Sequence, residues 1–303
     1  MRVTSNQYHT VMSTVTQRAN AQLADVMQRM ATGERILRTS DDPIGSVRLA
    51  LLMQQDGKFD QYRANIGALD IRLQASERTM TNISEQLSTA HDLMLWAADG
   101  SNAPQDIKAI AQSLTSLRKS MLESVNSRNS EGSYLFSGTA IATASIDFDP
   151  SAAPGARYTF AGNEEQQHVV VGEGVTEVSN DSMKEMEDVL NKLDLAIEKM
   201  SAPGADANDA ALRDVLVQAL DTIDSGKDAV DSKITRAGNA RKTLEMFDGM
   251  HEGLQVVGAE AALDVGQIDQ TEVYGEFMSY QTALVATQKV YAQVTQLTLF
   301  NVL

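Results

Sequence analysis

Cysteine is absent from this chain of 303 residues. That removes disulfides, thiolate metal sites and thiol nucleophiles together. A chain without thiols can also pass into an oxidising exterior without cross-linking. Basic residues are scarce: 25 Lys and Arg stand against 41 Asp and Glu, a formal net charge of -16. Nucleic acid and anionic membrane surfaces both demand a basic footprint, so neither is an expected partner. No stretch approaches the ~20 consecutive apolar residues of a membrane span. The opening MRVTSNQYHTVMSTVTQRAN places a polar residue at every second or third position, so no cleaved secretory signal is expected. Aromatics make up only 5% of the chain and prolines number five, while methionines reach 14. That profile suits long helices better than a compact enzyme core.

The prolines, at 43, 104, 150, 154 and 203, leave long uninterrupted runs between them. In the run from Ile44 to Ala98, steps of three and four pass through Phe59, Tyr62, Ile66, Leu69, Leu73, Ser76, Met80, Ile83, Leu87, Ala90 and Met94. Only Ser76 is polar, and a 3.5-residue repeat sustained this far predicts a helix of roughly 80 Å packed lengthwise on partners. Asp42 is its expected N-cap, with Pro43 at the first helical position. Ile107, Ile110, Leu114, Leu117 and Met121 continue the register in a second helix, expected to form an antiparallel hairpin with the first.

Between Gly132 and Ser182 the composition shifts to Gly, Pro, Thr and β-branched residues. Arg157 to Ala161 and His168 to Val171 read as two strands of a small β insertion, with Gly172-Glu173-Gly174 as a hairpin turn before another extended run. Helical spacing returns at Met183 to Met200 and again from about Asn208 to Phe247, where glycines at 249, 253 and 258 weaken the case for one continuous helix. Both chain ends are amphipathic: Met12, Val15, Leu23, Val26 and Met30 form one stripe, and Phe277, Tyr280, Leu284, Tyr291 and Val294, widened by Leu297, form the other. The predicted fold is mainly α with a small β insertion (α+β): an elongated rod of coiled-coil and bundle helices built from both chain ends. Three parts are expected, namely terminal assembly segments at 1–42 and 265–303, a helical domain at 43–132 and 182–264, and an outward β domain at 133–181. The terminal stripes have too little chain around them to bury both apolar faces, which implies partners.

The residues of chemistry point elsewhere than catalysis. His9, His91, His168 and His251 are scattered, with no metal-ligand spacing, and His251 reads as a tolerated edge position on an apolar register. Asp41-Asp42 before a proline is a cap rather than an acid/base pair, and neither GxSxG nor a phosphate loop is present. Trp96 and the methionine stripes read as core filling. No catalytic, cofactor or metal site is expected. Phe277, Tyr280, Tyr291 and Phe300 read as assembly anchors, since they lie outside the main bundle.

Gly33-Glu34-Arg35-Ile36 followed by Ser40-Asp41-Asp42-Pro43 resembles the N-terminal signature of the bacterial flagellin superfamily, with Gly33, Arg35, Ile36, Ser40, Asp41, Asp42 and Pro43 as the matching positions. Val3-Thr4-Ser5-Asn6 and the ending Gln296 to Leu303 are similar to it too. Pro43 after the double Asp, the run Tyr134 to Gly138, and the Leu299-Phe300-Asn301 ending resemble its hook-associated branch rather than filament flagellin. The resemblance implies a structural, non-enzymatic subunit exported unfolded by the flagellar type III apparatus to the outside of the cell, where hook meets filament. It implies self-assembly into a ring or helical layer, contacts with the first hook-associated junction protein and with flagellin, and a cytoplasmic export chaperone on the C-terminal segment. A small filament flagellin is the alternative within the superfamily; a soluble coiled-coil regulator or chaperone would explain the periodicity but not the motif.

Overall fold

The computed structural model describes residues 2–206 and 208–300, with side chains at 7–206 and 208–293. The elements run α1 (Arg2–Thr32), α2 (Pro43–Ala97), α3 (Pro104–Val125), β1 (Ile146–Phe148), β2 (Tyr158–Phe160), β3 (His168–Gly172), β4 (Val175–Val178), α4 (Glu185–Ser201), α5 (Ala210–Gly266) and α6 (Gln270–Phe300). The protein is therefore mainly α with a small β insertion, as its sequence predicts. The glycines that weakened the case for continuity all lie inside α5. A cost of about 1 kcal/mol per glycine does not break a helix this long, and Gly226 has a positive role: a Cβ there would stand 2.5 Å from Val189 Cγ2, so glycine lets α4 approach closely.

Two compact units divide the chain, Met1–Phe59 with Glu252–Leu303, and Asp60–His251. Their boundaries fall inside α2 and α5 rather than at helix ends. The segment 133–181 lies within the larger unit. Its strands form two separate two-stranded sheets, β1–β2 and β3–β4, and an isolated hairpin cannot bury a core.

In the larger unit one apolar cluster joins Met80 to Ala97 of α2, the inner faces of α3 and α4, and Leu212 to Ala237 of α5, with Phe136, Ile146 and Tyr158 from the insertion. The expected α2–α3 hairpin forms. The chain turns between Ala97 and Pro104, and Gln86 Nε2 donates to Ser120 Oγ at 3.3 Å and Ser124 Oγ at 3.2 Å. The two expected strands also form, but each pairs with a different neighbour: β2 with β1 (Ile146 opposite Phe160) and β3 with β4 (His168 opposite Val178). β1 is three residues long, too short for an alternation signal. Asn191 of α4 anchors β2 by donating to Tyr158 O at 2.8 Å and accepting from Tyr158 N at 3.0 Å. The Gly172–Gly174 turn forms as expected, Gly174 taking φ +72°. Val171 of β3 packs with Ile66, Leu69 and Leu73 of α2 and Leu244 of α5.

Two readings of single residues are corrected. His251 is not an edge residue but 2% exposed; its Nε2–H donates to Val171 O at 2.8 Å, and its ring lies 5.4 Å from that of Tyr62 and 6.1 Å from that of Phe247. The carbonyl at the end of β3 needs a donor, and an imidazole supplies one while packing on aromatics. Trp96 is 56% exposed rather than core, because Met94 and Ala97 take the inner face of the last turns of α2. Met80, Met94, Met121, Met183, Met186 and Met200 are buried as expected, but Met53 and Met246 are exposed.

Candidate functional site

The smaller unit holds the terminal stripes. α1 packs along α6, and the two share a cluster of Val26, Ile268 and Val273 with Phe277 and Tyr280 partly buried against it. Polar contacts fix the pairing at two levels. Arg29 Nη2 donates to Glu276 Oε2 at 2.8 Å, while His9 Nδ1 and Tyr291 OH share a hydrogen bond of 2.9 Å with their rings edge to face.

Among the residues read from the sequence as the terminal seam, Val26 is 1% exposed. Met12, Leu23, Phe277, Tyr280 and Leu284 are half-buried, and Val15, Met30 and Tyr291 are exposed. The side chains of Val294, Leu297 and Phe300 lie outside the described residues. Ile268, Val273, His9, Arg29 and Glu276 also belong to the seam, although the apolar stripes of the sequence do not include them. Ile268 stands in a non-helical joint where periodicity is silent, and the Arg29–Glu276 pair spans 247 positions, beyond any local pattern.

The motif Gly33 to Pro43 builds the joint beside this seam. Gly33, at φ +76°, ends α1 with its N–H donating to Arg29 O at 2.8 Å, the left-handed termination that favours glycine. The next residues run against the α5–α6 connection. Glu34 bridges to Gln267, Arg35 N–H donates to Gly266 O at 2.6 Å, and Ile268 N–H donates to Gly33 O at 3.2 Å.

Arg35 then clamps two helix ends. Its Nε and Nη2 donate to Val265 O, in the last turn of α5, at 3.0 and 2.8 Å. A cation there complements the negative end of the helix dipole. Nη2 also meets Asp42 Oδ2 at 2.9 Å.

Asp42 caps α2 as the sequence predicts, Oδ1 accepting from Gly45 N–H at 2.9 Å. The Gly45 N–H, and after it the Arg35 guanidinium, hold the Asp42 carboxyl below its ordinary range. A side chain at Gly45 would meet Asp42 Oδ2 at 2.5 Å and Ile36 Cδ1 at 2.7 Å, so it would have to displace the capping carboxylate. Asp41 serves the turn before it, its Oδ2 accepting from Arg38 N–H at 2.9 Å with Ser40 Oγ at 3.4 Å from Oδ1. Asp269 opens α6 in the same manner as Asp42, accepting from Thr271 N–H at 2.8 Å.

Arg35, Asp41, Asp42 and Asp269 of the joint are thus all partnered. The unit's remaining exposed surface carries many large apolar side chains. Among the described residues, Val26, Ile268 and Val273 are its buried hydrophobic side chains, while every one of its helices exposes large apolar ones, among them Val11, Ile44, Leu51, Val256, Leu263 and Met278. A surface of this kind is suited to association rather than to holding a small molecule. Among the described residues no group of three or more His, Cys, Asp or Glu is placed to hold a metal ion, and no helix is long and apolar enough to cross a membrane.

Comparison with known proteins gives consistent matches. A family model for the bacterial flagellin N-terminal helical region matches residues 3–141. Flagellar hook-associated protein 3 of Escherichia coli K12 is 22% identical over 289 residues, 90% of each chain. Its Salmonella typhimurium LT2 counterpart is 21% identical over 317 residues, 99% of each. Among solved structures, a Vibrio parahaemolyticus protein assigned as flagellar hook-associated superposes with a TM-score of 0.68 and 30% identity, over 75% of this chain and all of that one. Hook-associated protein 3 from Legionella pneumophila superposes with a TM-score of 0.63 at 13% identity, over 71% of this chain and 98% of its own, a likeness of fold.

Proposed function

The chain belongs to the flagellin superfamily, in its hook-associated branch, and from that premise we propose that it is a non-enzymatic structural adaptor of the bacterial flagellum. It assembles where hook meets filament, beyond the first hook-associated protein, as a ring or helical layer on which flagellin polymerises. The observation that carries this reading is a terminal unit that, among its described residues, exposes many large apolar side chains, from Val11 to Tyr291, around a cluster of three buried ones. Burial between subunits would supply assembly energy at about 25 cal/mol per Å² before ordering costs are subtracted. Terminal segments that order only against neighbours at the growing tip would suppress premature association in the cytoplasm. A cytoplasmic chaperone on the C-terminal segment and export through the flagellar type III apparatus complete the proposal. The absence of cysteine suits a chain that leaves the cell.

The test is complementation of a strain lacking this chain. That strain should build hooks and release flagellin unassembled, and the full chain should restore filaments. A variant without residues 293–303 should keep the larger unit folded, because that unit's core is built from residues between Ile66 and Leu244, yet fail to incorporate. Filaments in the deletion strain, or normal incorporation of the truncated chain, would contradict the proposal.

A further inference from the structure

The two helices that cross the smaller unit, α2 and α5, carry matching unpartnered stripes. On α2, Ile44, Val47, Arg48 and Leu51 stand at i, i+3, i+4 and i+7, and therefore on one face. On α5, Val256, Ala259, Glu260 and Leu263 repeat the same spacing. All eight are exposed: Ile44 84%, Val47 58%, Leu51 60%, Val256 63% and Leu263 58% are the large apolar members. Arg48 is the one ionisable residue between 43 and 53, and Glu260 the one between 253 and 263. Neither makes an ion pair among the described residues, whereas Arg29, Arg35 and Asp42 in the same unit are all paired. The stripes are thus alike in apolar shape and opposite in charge. Within the unit the faces that do meet carry other residues: Leu49 lies against Gly266, and Gln255 Nε2 donates to Asp56 Oδ1 at 3.0 Å.

We infer that a second copy of this chain is the occupant, the α2 stripe of one copy seating on the α5 stripe of the next, with Arg48 paired to Glu260 across the contact. Complementarity between two different surfaces of one chain is what a head-to-tail contact requires. A stripe pairing with itself would bring two copies of Arg48, or two of Glu260, together. That would stop at a dimer, whereas a contact between unlike faces leaves both free faces repeated and propagates into a closed ring or helical layer. The inference rests on the adaptor reading above and names the surface by which its copies meet.

The absence of cysteine makes the test clean. Val47→Cys and Ala259→Cys full-length chains, produced separately and together in a strain lacking the native copy, are treated in purified flagella with a short bis-maleimide. Cross-linked dimers of this chain are expected only when both variants are present, and a ladder from a chain carrying both substitutions. Arg48→Glu should lower the cross-linked yield at least tenfold, Glu260→Arg likewise, and the two reversals combined should restore it. Flagella that contain the variants but give no cross-link would overturn the inference and leave the adaptor reading standing. Dimers from either variant alone, or adducts only with a chain of another size, would also overturn it. Absence of the chain from purified flagella would overturn both.

Discussion

Arg35 and Asp42 meet at 2.9 Å, and between them they hold two helices whose meeting ends lie more than 220 residues apart in sequence. Asp42 caps the start of α2 through Gly45 N–H, and Arg35 reaches Val265 O at the end of α5. The ion pair is partly exposed and adds little by itself. Its role is to orient both partners on backbone groups that would otherwise lack one. Arg35→Ala should therefore release the 33–42 segment without unfolding the larger unit. Hydrogen exchange at Gly45, Arg35 and Ile268 amides is expected to quicken on the order of tenfold, while amides of Met80 to Met94 keep their protection. Unchanged exchange at those three amides would remove the clamp from the account.

Acid should loosen the same corner. Asp42 has its carboxyl held below the ordinary range, first by the Gly45 N–H and then by Arg35. A depressed carboxylate contributes stability that is complete above the unfolded value of about 4 and is lost as pH falls through the folded value. Exchange at Gly45 should thus accelerate specifically below about pH 4, and Asp42→Asn should abolish that pH dependence. Asp181 acts with the opposite sign: burial raises its carboxyl, so its contribution fades as pH rises through the folded value, and Asp181→Asn should stabilise the chain at neutral pH relative to acid.

Asp194 is the most consequential charge in the larger unit. Only 1% exposed, it pairs with Arg118, stands 3.3 Å from Arg157 Nη1, and accepts Gly155 N–H at 3.0 Å. Removing it takes the ion-pair partner from Arg118, which is 15% exposed, and leaves Arg157, 23% exposed, with Glu198 at 3.9 Å. Asp194→Ala should cost about 3–5 kcal/mol by urea denaturation, and a loss under about 1 kcal/mol would mean the cluster is dispensable.

Gly138 and Gly33 make a controlled pair. Both adopt positive φ, +67° and +76°. A Cβ at Gly33 meets nothing within 4 Å, whereas one at Gly138 falls on the Asn163 backbone carbonyl. Gly33→Ala should cost only the left-handed penalty of about 1 kcal/mol. Gly138→Ala should cost roughly 3 kcal/mol or more because backbone must move as well. Equal thermal shifts for the two would contradict the assignment of the clash.

Much of this architecture is legible in local pattern. The Asp42–Pro43 start, the α2 stripe from Phe59 to Met94 and the Gly172–Gly174 turn are local signals, and the helix ends, register and turn follow from them. What escapes is non-local. Arg35 finds Val265 across 230 positions and Arg118 finds Asp194 across 76. Asp194 itself sits on the buried face of α4, where hydrophobic spacing gives no reason to expect a charge. An apolar register does not say which neighbours crowd a given turn, so it does not show that His251 is buried and Trp96 exposed. β1 gives no signal because three residues cannot display an alternation.

Immunogold labelling of intact flagella, with antibody against Thr139 to Asp181 and viewed by electron microscopy, tests the adaptor role most directly. Gold confined to a narrow band where hook meets filament is the predicted result. Gold along the whole filament would make the chain a flagellin, and labelling only in the cytoplasm would contradict a role in the flagellum altogether.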